Sequence, residues 1–165
     1  MTTTTSPALR HDPRPLAETT DAAPSLRNPV YQAYFVLRTA FVVAPILFGI
    51  DKFFNWMTYW PKYLWVGVPN AISVSPQHFM YAVGVIEIAA GLLVLVWPRV
   101  GSWVVAAWLA GIVTNLIIVS IAIGGHTHVF WDIALRDFGL MIAAIALARL
   151  AAVFAPRLPF GGRSQ

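Results

Sequence analysis

The segment GGHTHVFWDIALRDFG, residues 124–139, opens an apolar run that continues to Arg149. On an insertion scale each large apolar residue contributes about −0.3 to −0.6 kcal/mol, whereas a charge near the centre of a span costs about 2.5 to 3.5 kcal/mol. Arg136 and Asp137 therefore make this segment a marginal membrane helix by itself. Such charges must face other helices or a wet cavity, and charges inside membranes commonly mark functional sites.

The composition is that of an integral membrane protein. The chain has 165 residues, of which 58% are hydrophobic and only 11% charged, and the mean hydropathy is +0.68. These values lie far from those of soluble domains. At about 20 residues per crossing, the spacing of the apolar segments predicts an all-α, antiparallel four-helix transmembrane bundle.

The predicted spans are 31–54, 77–97, 101–123 and 129–154, within a membrane domain of residues 30–155. Residues 1–29 are polar and contain five prolines, which is typical of a disordered tail, and residues 156–165 form a second short tail. The basic residues on the side shared by both termini are Arg10, Arg14, Arg27, Arg99, Arg149, Arg157 and Arg163, against Lys52 and Lys62 on the other side. The positive-inside rule then predicts that both termini and both tails are cytoplasmic.

Charge and cysteine content limit the possible partners and chemistry. The net charge is +4, but the basic residues are scattered singly at span ends and do not form the stripe that nucleic acid requires. We therefore expect no nucleic-acid partner. The chain has no cysteine, which excludes thiolate nucleophiles and iron–sulfur ligation by this chain alone.

Glu87 is the one charge of the second predicted span. Gly84, Ala90 and Gly91 lie within a turn of it on the same side, and small residues allow a neighbouring helix to approach closely. We therefore expect the Glu87 carboxylate to point into the bundle.

Polar residues from three spans fall at one depth. Counted from the outer span ends at about 1.5 Å per residue, Glu87, Asn115, Arg136 and Asp137 all lie roughly 12 to 15 Å deep. We expect Arg136 to pair with Glu87 or Asp137, and Asn115 to complete the hydrogen bonding. One carboxylate then lacks a cation unless Lys52 or Arg38 reaches it. The pattern fits either a buried ion-pair network that fixes helix register or a site that exchanges protons.

The segment between the first two spans is rich in aromatic residues. Trp56, Tyr59, Trp60 and Tyr63 recur at i, i+3, i+4 and i+7, which is the spacing of one helical face. The pattern indicates an aromatic belt on a short interfacial helix. The alternative is a wall for a flat ring such as a quinone, which Trp56 and Trp60 would contact.

Three histidines and an aspartate map to the outer side, namely His78, His126, His128 and Asp132. Such groups are possible Zn²⁺ ligands. A His-x-His pair in an exposed loop more often binds nothing, so we expect no metal and keep these four residues as weak candidates. Haem is disfavoured because no histidine lies deep in a span.

Three motifs occur in the first two predicted spans: LRT at residues 37–39 and GIDKF at 49–53 in the first, and GVIEIAAG at 84–91 in the second. With them the chain resembles the DoxX/DoxD-like family of small four-helix membrane proteins. The resemblance implies a bundle in the bacterial cell membrane, in some members a subunit of quinone-linked sulfur oxidoreductases such as thiosulfate:quinone oxidoreductase, and in others a membrane partner of redox-defence proteins. Arg38, Lys52 and Glu87 would be the polar residues of the family.

The leading functional hypothesis is a redox-associated, quinone-linked membrane subunit with a polar site in the outer half of the bundle. Glu87 or Asp137 would exchange the proton, and Arg136 would bind a carbonyl or an anion. The expected substrate-binding residues are Arg38, Lys52, Asn115, Trp56 and Trp60. A protein partner must supply electrons, because no flavin, haem or iron–sulfur motif is evident.

Two other classes remain open. The first is a non-catalytic structural or assembly subunit of a larger membrane complex. The second is a small proton-coupled transporter, which the absence of an internal repeat disfavours.

Overall fold

Four long helices make up most of the part of the chain that the structure describes. The computed structural model describes residues 27–124 and 130–155, and its long helices are α1 (Pro29–Phe54), α3 (Pro76–Val96), α4 (Pro98–Gly124) and α5 (Trp131–Phe154). A 3-10 helix (Trp60–Tyr63) and the short α2 (Gly67–Ala71) lie between α1 and α3. Each long helix contains a stretch of mean hydropathy 1.9 to 2.3 and is long enough to cross a membrane. The prediction of an all-α, four-helix integral membrane protein is confirmed.

The helix starts are marked by proline. Pro29, Pro76 and Pro98 each stand at the beginning of a long helix, a position where the missing N–H would have no partner in any case. The Asn28 side chain also accepts a hydrogen bond from the Val30 N–H at 2.9 Å, which caps α1. This rule explains why α4 begins three residues before the predicted span. The predicted tails lie almost entirely outside the described residues.

The helices form an antiparallel ring in which α1 packs on α3, α3 on α4, α4 on α5 and α5 on α1. Near the start of α1, the Tyr31 ring meets the Phe154 ring at the end of α5, with centroids 5.4 Å apart. The first and last helices therefore begin and end at the same end of the bundle, which we call the termini end. The opposite end, where residues 55–75 join α1 to α3, is the connector end.

Glycines set the distance between α1 and α3. A Cβ at Gly49 would lie 2.6 Å from the Gly84 carbonyl oxygen, and a Cβ at Gly84 would lie 2.6 Å from the Gly49 oxygen. A Cβ at Gly91 would meet the Val42 oxygen at 2.9 Å. The small-residue face of α3 therefore packs directly against α1, as the sequence predicted.

The connector does not form the predicted continuous aromatic face, and this prediction is wrong. Asn55 adopts a left-handed conformation, φ 54°, and ends α1, while only the four residues around Pro61 form a 3-10 helix. Trp56 and Tyr59 are exposed, whereas Trp60 is half-buried. The connector thus folds back over the bundle instead of lying beside it as one helix.

Candidate functional site

A buried ion pair links α1 to α3. Lys52 Nζ lies 2.5 Å from Glu87 Oε2, and both side chains are buried. Helical side chains lean toward the N-terminus of their own helix, so in this antiparallel pair the two side chains lean toward each other. Lys52 passes over Gly84, where a Cβ would lie 3.3 Å from Lys52 Cβ. The predicted inward direction of Glu87 is confirmed, and Lys52 is the cation that reaches it.

Trp60 covers the ion pair from the connector. Lys52 Nζ lies 3.9 Å from the centroid of the Trp60 ring, a cation–π contact. Trp60 Nε1 donates to Asp51 Oδ2 at 2.7 Å, and Asp51 Oδ1 also accepts the Trp56 and Met57 backbone N–H groups at 3.0 and 3.1 Å. Asp51 therefore holds the start of the connector so that the Trp60 ring lies over Lys52.

A second pair of polar side chains supports this arrangement. Gln77 Nε2 donates to the Lys52 carbonyl oxygen at 3.2 Å, and Asn55 Nδ2 donates to Gln77 Oε1 at 3.3 Å. Asn55 Oδ1 accepts the Trp60 N–H at 3.3 Å. Asn55 and Gln77 are residues that the sequence reasoning missed, and Asp51 entered it only near the end of the first span, within the GIDKF motif. Their signal is a run of polar residues at the end of α1 and the start of α3, which is ordinary for span ends.

Asp137 brings α5 to the same cluster. Its side chain is 8% exposed, and its carboxylate lies within range of a weak electrostatic interaction with Glu87. We call Lys52, Glu87 and Asp137 the charge cluster. It contains two carboxylates and one cation inside the bundle.

Arg136 lies on the outside of the bundle, contrary to its expected place in the cavity wall. Its Nε donates to Asp137 Oδ1 at 2.9 Å, but its side chain is 61% exposed. Successive residues of a helix point about 100° apart, so Arg136 and Asp137 cannot both face the interior. One of the two expected pairings is present, and it reaches Asp137 from the surface.

The Asn115 side chain forms hydrogen bonds with the backbone of the connector. Its Oδ1 accepts the Trp65 N–H at 3.0 Å, and its Nδ2 donates to the Tyr63 carbonyl oxygen at 2.6 Å. The expectation that it completes the hydrogen bonding of the charge cluster is therefore wrong. The amide oxygen and the amide nitrogen of Asn115 both form hydrogen bonds with the backbone of the connector instead.

Arg38 lies near the opposite end of the bundle. It is 14 residues before Lys52, about 21 Å along α1, and its Nη2 donates to the Leu95 carbonyl oxygen at 2.6 Å. Arg99 does the same for α5, with bonds to the Ala151 and Ala152 oxygens at 3.1 and 2.6 Å. Each arginine thus satisfies carbonyl groups at the end of a neighbouring helix. The structure therefore does not bring Arg38 to the site. Trp56 is also outside it, because its exposed ring stacks on the Phe54 ring with centroids 4.6 Å apart.

The candidate metal ligands do not come together among the described residues, which contain no group of three or more potential ligands. His78 Nδ1 lies 2.6 Å from Ser75 Oγ at the start of α3. Asp132 is exposed in the first turn of α5. His126 and His128 fall outside the described residues.

Trp108 of α4 completes the surroundings of Glu87. Its buried indole N–H lies beside the Glu87 carboxylate, which is an acceptor for it, although the two do not reach ordinary hydrogen-bond geometry within the part of the chain that the structure describes. Buried N–H donors normally have such an acceptor. The site therefore offers an indole donor beside a carboxylate and an ammonium group.

No protein-family model, curated protein or solved structure matches the chain. The likeness to DoxX/DoxD-like proteins therefore rests on its three sequence motifs.

Proposed function

We propose that the chain is a DoxX-like, redox-associated membrane subunit that binds a quinone beside the charge cluster and exchanges protons with it. The observation that carries the proposal is the buried Lys52–Glu87 pair with Asp137 next to it. Intramembrane ionisable groups are costly and commonly belong to proton pathways or ligand sites. Both termini are cytoplasmic in this proposal, which places the charge cluster in the outer half of a bacterial cell membrane.

The residues fit a quinone headgroup. A bound quinone takes up two electrons and two protons when it becomes a quinol. Lys52 and Trp108 offer N–H donors of the kind that carbonyl oxygens accept. Glu87 can hold a proton within one side-chain length of these donors, and Asp137 offers a second position for it.

The electrons must come from a second protein. This chain has no cysteine and shows no flavin or haem motif, so an electron-donating oxidoreductase is the partner that the proposal requires. The connector end, where Trp60 covers the charge cluster, is the face that such a partner would approach.

The binding part of the proposal is tested by measuring the quinone extracted from purified protein. We expect wild type to carry quinone well above the amount in the accompanying lipid, and Lys52→Met to lower it about tenfold. Asp132→Asn is the matched control, because this carboxylate is exposed at the start of α5, and it should change nothing. Wild-type protein with no more quinone than its lipid would contradict the proposal.

The proton-exchange part is tested with Glu87→Gln. This variant keeps the shape of the side chain and removes its ionisable group, so we expect normal membrane insertion and loss of quinone reduction in native membranes. Asp132→Asn should retain that activity. Normal reduction rates in the Glu87→Gln membranes would leave the charge cluster with a structural role only.

Exposed Arg136 favours a second candidate, an assembly subunit. Its guanidinium lies five residues into α5, about 8 Å from the helix start, on the outside of the bundle. A carboxylate of a neighbouring membrane chain would complement it. In that case Arg136→Gln should release a co-purifying membrane protein while the quinone content stays unchanged.

A further inference from the structure

The two arginines at the termini end lie near the same buried phenol. Arg38 bonds the Leu95 carbonyl oxygen near the end of α3, and Arg99, in the first turn of α4, bonds two carbonyl oxygens near the end of α5. Tyr34 is buried and lies within range of electrostatic interactions with both guanidinium groups. Side chains from α1 and α4 therefore bring two positive charges to one place, beside the turn that joins α3 to α4.

Among the residues that the structure describes, these two charges have no carboxylate beside them. The ion pairs of this part of the chain join Lys52 to Glu87 and Arg136 to Asp137. Glu87 is the described carboxylate that comes nearest along the helices, and it lies eight residues before Leu95, a distance of about 12 Å. The carbonyl oxygens that the two arginines bond are neutral. Both positive charges are therefore left without a counterion within the described residues.

The two guanidinium groups lie at the edge of the hydrocarbon layer. Helix α3 has 21 residues and is about 31 Å long, which matches the thickness of about 30 Å of that layer. Leu95 is the second-last residue of α3, and Arg99 is the second residue of α4. The arginines therefore lie at the level where the lipid headgroups begin.

The neighbouring helices extend past this edge. Counted from the contact between Gly49 and Gly84, α1 continues for 20 residues to its start, whereas α3 continues for 12 residues to its end, so α1 extends about 12 Å further. The Tyr31 and Phe154 rings keep the end of α5 beside the start of α1. The turn between α3 and α4 therefore forms a step below the ends of α1 and α5. We call this turn, together with Arg38 and Arg99, the arginine step.

We propose that the arginine step binds the phosphate of an anionic phospholipid, with Arg38 and Arg99 as its cationic ligands. A guanidinium group has five N–H donors, and its planar fork matches two oxygens of a phosphate. Arg38 donates to α3 through Nη2, and Arg99 donates to α5 through Nε and Nη2, so both keep donors for a phosphate. The site is independent of quinone binding, because Arg38 lies about 21 Å along α1 from Lys52.

The surface beside the step favours a lipid over a soluble anion. Leu95, Val96 and Trp97 are 48%, 80% and 39% exposed, so a large apolar surface adjoins the two charges. A ligand that covers both must carry a negative headgroup and hydrocarbon chains, as an anionic phospholipid does. Basic residues at span ends are known to hold such headgroups. In the proposed orientation, the lipid belongs to the cytoplasmic leaflet.

The test measures lipid binding to the purified protein in detergent by native mass spectrometry. The probes are phosphatidylglycerol and phosphatidylcholine with identical acyl chains, which share the phosphate and differ in net charge. Arg38→Gln and Arg99→Gln each remove one positive charge and keep an amide that can donate to the carbonyl oxygens. Lys62→Gln is the matched control, because it removes one exposed positive charge in the connector.

We expect wild type to bind phosphatidylglycerol about twentyfold more tightly than phosphatidylcholine, since each arginine near an anionic headgroup is worth about a factor of five. Each arginine variant should lower this preference about fivefold, and Lys62→Gln should match wild type. If a glutamine variant fails to fold, wild type itself gives the answer. Phosphatidylglycerol with a photoreactive headgroup should then label residues 31–38 and 95–101 and not the connector.

Four results would each overturn the assignment. Equal affinity of wild type for the two lipids would show that the step does not select negative charge. A preference that survives both arginine variants, or that Lys62→Gln lowers equally, would follow from net charge alone. Displacement of phosphatidylglycerol by an equal concentration of glycerol phosphate would make the ligand a soluble anion. If lipid binds only after Asp12, Glu18 and Asp21 of the tail are replaced by their amides, these carboxylates are the counterions instead.

Discussion

Asn115 is a strongly polar side chain in the middle of a membrane helix, and its two hydrogen bonds both hold the connector. The Tyr63 carbonyl and the Trp65 N–H that it bonds belong to a segment with few other ties to α4. Leu64, between them, is buried. We therefore regard Asn115 as the residue that fixes the connector over the bundle, and with it the position of Trp60 above Lys52.

Replacing Asn115 by Leu should free the connector. The change removes both bonds and leaves two backbone groups without their partner, at a cost of about 1 to 3 kcal/mol each. Amide hydrogen exchange over residues 60–66 should accelerate, and the unfolding temperature in detergent should fall. Thr114→Val is the control, because among the described residues the Thr114 hydroxyl donates to the Ala110 carbonyl of its own helix and not to the connector. Equal exchange in wild type and Asn115→Leu would show that other contacts hold the connector.

At the scale of single residues, the sequence predicted the direction of Glu87 but not all of its partners, and Asp137 lies six residues into α5, about 9 Å from the helix start, which is shallower than predicted. Depth follows from counting residues along a helix, whereas the rotation of each helix about its axis depends on packing between helices. Because of that rotation, the Arg136 side chain lies on the outside of the bundle and the Asn115 side chain forms hydrogen bonds with the connector. Lys52 reaches Glu87 because Gly84 has no side chain to block it. This contact joins two helices, so the spacing of residues within one helix cannot predict it.

At the scale of helices, the contact between α1 and α3 depends on two glycines that face each other. Gly84→Ala should destabilise the protein by about 1 to 3 kcal/mol, since the added methyl group would press on the Gly49 carbonyl at 2.6 Å and the helices would have to separate. Thermal unfolding in detergent measures the effect, and the shift of α1 should also weaken the Lys52–Glu87 pair.

Gly111→Ala is the matched control for this prediction. A Cβ there meets nothing within 4 Å, and alanine is favoured over glycine in helices by roughly 0.5 to 1 kcal/mol. This variant should be neutral or slightly more stable than wild type. Equal losses of stability in both variants would mean that the close approach of α1 and α3 is not what the glycines provide.

The same scale shows where sequence patterns succeed and where they fail. The four spans were predictable because long apolar segments bounded by proline have few alternatives to a membrane helix. The connector was not, because helical spacing of its aromatic residues competes with a left-handed Asn55 and a proline at position 61. Backbone geometry prevailed there, and it put Trp60 on the ion pair while leaving Trp56 exposed.

For the whole molecule, the two ends of the bundle have different chemistry. At the termini end Arg38 and Arg99 bond carbonyl groups at the ends of neighbouring helices, and at the connector end Lys52 is buried with Glu87. Arginines that bond carbonyl groups at helix ends stabilise the bundle whichever side of the membrane the termini end lies on. They also supply part of the charge bias from which the orientation was predicted, so the orientation requires a direct measurement.

The chain has no cysteine, which makes single introduced cysteines a clean probe of orientation. Lys62 is exposed in the connector, and Ser6 and Ser164 lie in the two tails. If the arginine-rich termini end is cytoplasmic, Lys62→Cys should react with a membrane-impermeant maleimide in intact cells, whereas Ser6→Cys and Ser164→Cys should react only after permeabilisation. The wild-type protein, which has no cysteine, gives the background level of maleimide labelling. The reverse pattern would place the charge cluster in the cytoplasmic half, and the proposed proton exchange would then take place on that side of the membrane.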